Sequence, residues 1–147
     1  MKKDIREELV KKTGTDTAHY IEELGLKDAV IEECMALLFI SAENKGVFDQ
    51  TLAKFQTTIE YIDGLGLEDE DAKKCLIRLF LSAASKGLLS QTFGKFQKVW
   101  EGNWSKRLTP RIRANMLKSS SLLEMIEEDV ESVSVLKEEP ALEHATA

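Results

Sequence analysis

LGLKDAVIEECMALLFISAENKGVFDQTLAKFQTTIE, residues 24–60, aligns without a gap on LGLEDEDAKKCLIRLFLSAASKGLLSQTFGKFQKVWE, residues 65–101. The offset is 41 residues, and 17 of the 37 aligned positions are identical. Self-similarity at a fixed period of this length is the signature of a repeated supersecondary unit. Within each copy the apolar spacing is helical. Phe48, Leu52, Phe55, Ile59 and Ile62 alternate by four and three residues, as do Leu89, Phe93, Phe96 and Trp100. Such a stripe packs one helix face on a neighbour while Gln50, Lys54 and Thr57 face water. The stretch before it, Cys34-Met35-Ala36-Leu37-Leu38-Phe39-Ile40, is apolar almost all round, which predicts a helix covered on several sides. Lys45-Gly46 and Lys86-Gly87 supply the stop between the two helices of each copy. Asp28 is placed to cap the first of them, where a carboxylate accepts from orphan amides and suits the helix dipole. The Ser-Ala pairs 41–42 and 82–83 would admit close helix approach at the same place in both copies.

Outward from the repeat, Ile5, Leu9 and Val10 mark a short first helix that Gly14 ends, and Tyr20, Ile21 and Leu24 mark a second that Gly25 ends. Beyond Gly102 the repeat breaks down. Thr109-Pro110 reads as an N-cap followed by a proline at the first helical position, where its missing N–H costs nothing. Ser121 to Glu124 reads as a capping box, and Leu123, Ile126, Val130 and Val133 continue a stripe to about Leu136. The expectation is an all-α helical bundle built on a tandem αα-hairpin repeat of period 41, with flanking N- and C-terminal helices. Residues 1–136 form its single domain and residues 137–147 a disordered acidic tail. A chain of 147 residues with 43% apolar residues, two prolines and eight glycines accords with that class.

The formal charge of −6 conceals three zones. Residues 1–92 carry −5, residues 93–118 carry +6 and residues 119–147 carry −7. The basic zone interleaves Lys95, Lys98, Lys106, Arg107, Arg111 and Arg113 with Phe93, Phe96, Trp100 and Trp104, a mixture suited to phosphate contact and base stacking. The stripe claims Phe93, Phe96 and Trp100 for the core, which leaves Trp104 and the run 106–113 free to act. The tail helix is expected to lay Glu124, Glu127, Glu128 and Glu131 near Arg107, Arg111 and Arg113.

No catalytic, cofactor-binding or metal-binding constellation is legible. Cys34 and Cys75 occupy equivalent positions in apolar helical stripes, where a thiol behaves as a small buried hydrophobe. The two histidines, His19 and His144, lie outside the repeats, so four convergent zinc ligands are lacking. The acidic run 63–71 fits no EF-hand frame and reads as a solvated linker into a helix N-terminus. The N-terminal MKKDIREELVKK has no apolar run of signal-peptide length, and no stretch approaches a membrane span. The sequence therefore predicts a soluble, cytoplasmic, non-catalytic protein-interaction, regulatory or adaptor protein without cofactor, with another protein as its partner, no membrane partner and room for a homo-oligomer. The candidate interaction surface comprises Gln50, Lys54, Gln91, Lys95, Trp104, Lys106, Arg107, Arg111 and Arg113. The rival reading is nucleic-acid binding through the basic segment 95–118, masked by the acidic C-terminal region.

Overall fold

A computed structural model describes residues 1–133, and among these the chain is helical with no strand. The acidic tail expected over residues 137–147, and the last turn expected to reach Leu136, lie outside the described residues. The helices are α1 (Lys3–Thr13), α2 (Thr15–Glu23), α3 (Ala29–Asn44), α4 (Phe48–Gly64), α5 (Glu70–Ser85) and α6 (Leu89–Val99). A π-helical turn, Trp100–Trp104, follows α6, then the short α7 (Ser105–Arg107), α8 (Pro110–Leu117) and a last helix, α9, over residues 122–133.

Local chemistry accounts for the boundaries. Asp28 Oδ1 accepts from the Ile31 amide at 3.1 Å and opens α3. Thr109 Oγ1 accepts from the Ile112 amide at 3.3 Å and opens α8, with Pro110 at its first position. Gly46 and Gly87 each adopt φ of 74°, the left-handed conformation that glycine reaches without steric cost and that ends a helix by turning its amide back onto the last carbonyls.

The chain packs as two compact units. The first comprises Met1–Gly66 together with Leu76–Leu89. There α1 packs against α2 and α3, and α3 also against α2 and α4. Leu9, Ile21, Ile31, Met35, Phe39, Phe55, Ile62, Leu76, Ile77 and Phe80 are fully buried. Phe39 meets Phe48 and Phe55 edge-on at 6.1 and 6.0 Å between ring centroids, the arrangement that the ring quadrupoles favour. One hydroxyl in this unit, Tyr20 Oη, is buried without a hydrogen-bond partner among the described residues. Burial, with the Glu60 and Asp63 carboxylates adding to it, pushes the Tyr20 phenol up to about 12.

The second unit comprises Leu67–Cys75 and the chain from Ser90 onward. Its core is an aromatic column, Phe96, Trp100 and Trp104, with centroids 5.8 Å apart for Phe96–Trp100 and 6.3 Å for Phe96–Trp104. Val99, Leu117, Leu122, Ile126 and Val133 are buried with it. Gly102 admits the last helix: a Cβ there would stand 2.8 Å from Val133 Cγ1.

The buried stripe of α9 differs from the expected one. Leu122, Ile126 and Val133 are buried, whereas Leu123 is exposed and Val130 half-buried. The spacings 122-126-129-133 and 123-126-130-133 are both helical and share two residues. The first prevails because it brings Asp129 to the indole N–H of Trp104, which donates to Asp129 Oδ2. A buried indole donor left unpaired would cost about 1–3 kcal/mol.

A candidate docking groove

α3 is covered on several sides, as expected, but one face stays open. Ile31, Met35, Ala36 and Phe39 are buried, but Val30 is 67% and Leu37 53% exposed. Cys34, on that same face, is exposed rather than a buried hydrophobe, and Cys75 is half-buried; both are free thiols. The reason is neighbour number: α1, α2 and α4 cover α3 from their sides, and the remaining face opens onto a groove of about 850 Å³.

The groove lies within the first unit, between α3 and the second half of α5. From α3 and its end come Val30, Cys34, Leu37, Leu38, Ser41 and Lys45; from α5 and its end come Arg78, Leu81, Ser82, Ser85 and Lys86. Three pairs among these occupy equivalent positions in the two sequence copies, 41 residues apart: Leu37 and Arg78, Ser41 and Ser82, Lys45 and Lys86. Val47 and Thr51 extend the lining onto the start of α4. In the Ser-Ala pairs Ala42 and Ala83 are buried, while Ser41 and Ser82 line the groove, joined there by Ala42.

Among the described residues no Asp or Glu lines the groove, whereas three cations do. Arg78 is already committed. Its Nη2 donates to Asp28 Oδ2 at 2.9 Å. The Ile31 amide beside Asp28, and then Arg78, hold that carboxyl below its ordinary value. The side chains of Lys45 and Lys86 form no ion pair among the described residues. Their charges stand free at the groove's edge. The second unit carries a matching cap: Asp69, 41 residues after Asp28, accepts from the Asp71 and Ala72 amides at 2.9 and 3.1 Å and from Lys118 Nζ at 2.8 Å. Lys118, followed by the Ala72 amide, lowers the Asp69 pKa, and Asp69 in turn raises that of Lys118. The acidic run 63–71 thereby ends in a helix cap, and no group of three or more His, Cys, Asp or Glu side chains converges among the described residues.

The residues singled out from sequence fare unevenly. Trp104, expected to be free, is fully buried in the aromatic column. Arg113, expected at the surface, is half-buried, with its guanidinium 5.7 Å from the centroid of the Trp100 ring. Its Nη1 donates to the carbonyls of Trp104, Ser105 and Leu108. It therefore satisfies the orphan carbonyls where the α6 to α7 segment ends, a structural duty. Lys106, Arg107 and Arg111 are exposed. Lys95 is exposed and lies 3.8 Å from Glu127, so that glutamate meets Lys95 rather than the expected arginines. Gln50 and Lys54 are exposed on α4 and Gln91 on α6, and none of them lines the groove.

No family model, curated protein or solved structure matches the chain. Function has to be read from the groove itself. Sequence reasoning passed over its lining because each residue, taken singly, had a structural explanation: Lys45 and Lys86 as helix stops, Cys34 and Leu37 as core. The available signal was the excess of apolar residues around α3, more than one packing stripe can use. No described helix is long and apolar enough to cross a membrane, so that excess is not a membrane span.

Proposed function

We propose that α3–α4 and α5–α6 are two copies of one αα-hairpin, and that the protein is a cytoplasmic, non-catalytic interaction or adaptor module whose docking surface is the α3/α5 groove. The repeat is supported by the offset of 41 shared by the helix starts Ala29 and Glu70, and Phe48 and Leu89. The paired caps Asp28 and Asp69 support it further. The observation that carries the functional reading is the groove's lining: large aliphatic side chains left exposed side by side, at a volume that matches ligand-accepting clefts. Scattered surface leucines need no explanation, but Val30, Leu37 and Val47 are contiguous in one concavity.

A second reading, nucleic-acid binding through the segment 95–118, retains the exposed Lys106, Arg107 and Arg111 but loses Trp104 and Arg113 to the core. Two measurements separate the readings. Fluorescence of 1-anilinonaphthalene-8-sulfonate, an apolar anion, should rise on the native protein and fall to background in Leu37→Asp, while the protein leaves a heparin column at low salt. Retention to high salt that Lys106→Glu/Arg107→Glu/Arg111→Glu abolishes, with dye binding indifferent to Leu37→Asp, would favour phosphate contact, because counterion release makes such binding steeply salt-dependent.

A further inference from the structure

The groove's shape and charge specify its occupant, provided the docking reading holds. We infer that the groove receives an amphipathic helix of a partner protein, apolar on the face it inserts and acidic along its flanks.

The inserted face follows from the walls. Along α3 the lining runs from Val30 to Lys45, 16 residues spanning about 22 Å at 1.5 Å rise per residue, the length of about four helical turns. On each wall large aliphatic residues, Val30, Leu37 and Leu38 on α3 and Leu81 on α5, give way toward the helix end to small ones, Ser41, Ser82, Ala84 and Ser85. Knobs beside holes accept the i, i+3, i+4, i+7 ridge of a helix. The described residues offer no sheet edge that would instead favour an extended strand.

The flanks follow from charge. Among the described residues, Lys45 and Lys86 stand at equivalent ends of α3 and α5 with no counter-ion, and no carboxylate lines the groove between them. Each lies where its helix presents a C-terminal dipole, but a full positive charge exceeds the roughly half negative charge of a helix end. The edge therefore remains cationic. A second copy of this chain is a poor occupant, since joining groove to groove would bring the lysines of both copies together.

The test selects partners without presuming their identity. Full-length protein is panned against a phage-displayed library of 18-residue helices with a fixed apolar stripe and randomised flanks, with counter-selection on Leu37→Asp. The expected result is enrichment of flanks rich in Asp and Glu. Synthetic copies of the winners should bind about tenfold more weakly to Lys45→Glu/Lys86→Glu. Saturating peptide should slow alkylation of Cys34, which lines the groove, and leave Cys75, which does not, unchanged. Winners that depend on Leu37 but carry neutral or basic flanks would overturn the acidic partner and leave the docking reading standing. An absence of any Leu37-dependent winner would overturn both. A concentration-dependent dimer in sedimentation that Leu37→Asp abolishes would replace the acidic helix with a second copy.

Discussion

Two regions of this molecule hold apolar side chains beside cations, and they have opposite fates. Around Trp100 the aromatic column is sealed, Gly102 admits Val133, Asp129 takes the indole N–H of Trp104, and Arg113 spends its charge on carbonyls and an aromatic face. Around Leu37 the aliphatic face stays open and the flanking lysines have no counter-ion among the described residues. A cation whose guanidinium is bound to carbonyls and stacked on an indole is architecture. One left unpaired beside exposed leucine and valine is available for recognition, and the contrast separates residues that hold the fold from residues that could serve a partner.

The contrast breaks most visibly at the column. Trp104→Ala removes a fully buried indole and strands Asp129, so unfolding stability should fall by ~3–5 kcal/mol, read from urea denaturation. A loss below ~1 kcal/mol would mean that the column is not sealed. Gly102→Ala probes the same region by excess rather than deficit. Its methyl would meet Val133, so a loss of ~1–3 kcal/mol is expected, and the double variant Gly102→Ala/Val133→Ala should lose less than the two single effects combined.

Polar satisfaction can be tested in the first unit too. Tyr20→Phe deletes a buried hydroxyl that has no partner, so stability should stay level or rise by up to ~1 kcal/mol, whereas Asp129→Ala, which orphans the Trp104 donor, should cost ~1–3 kcal/mol. Spectrophotometric titration should place the Tyr20 phenol at about 12 rather than the ordinary 10.0. A raised folded value means that this contribution is intact below pH 10 and is lost as pH rises toward 12.

A smaller effect should appear in acid. Asp28 and Asp69 both have carboxyls held below the ordinary 3.8. A depressed folded value contributes stability above the unfolded value, and that stability is lost as pH falls through the folded one. Thermal melts should therefore drop as pH is lowered below about 4, and Asp28→Asn/Asp69→Asn, which keeps side-chain cap acceptors without the charge, should flatten that slope. An unchanged slope would remove both caps from the account.

Helix types, stops and caps were legible in the sequence because each is a local matter: Gly46 and Gly87 at positive φ, Asp28 and Thr109 beside orphan amides, Pro110 at a first position. What local pattern leaves open is how many neighbours a helix has. The sequence around Leu37 is apolar all round, which describes a helix buried on every side and a helix with one face awaiting a partner equally well. Trp104 was misread for a related reason. It follows Gly102, the apparent end of the repeat, yet the spacing 96-100-104 continues the stripe through the π-helical turn. In α9 two overlapping stripes were equally helical, and the choice depended on Asp129 reaching a tryptophan 25 residues earlier.

The open face is the central claim, and Leu37→Asp tests it most directly when unfolding and peptide binding are measured on the same protein. The account predicts an unfolding free energy from urea denaturation within ~0.5 kcal/mol of the parent, as for a surface position, together with loss of the acidic helix selected against the parent. A stability loss of ~2 kcal/mol or more, the cost of placing a charge in a covered core, would contradict it.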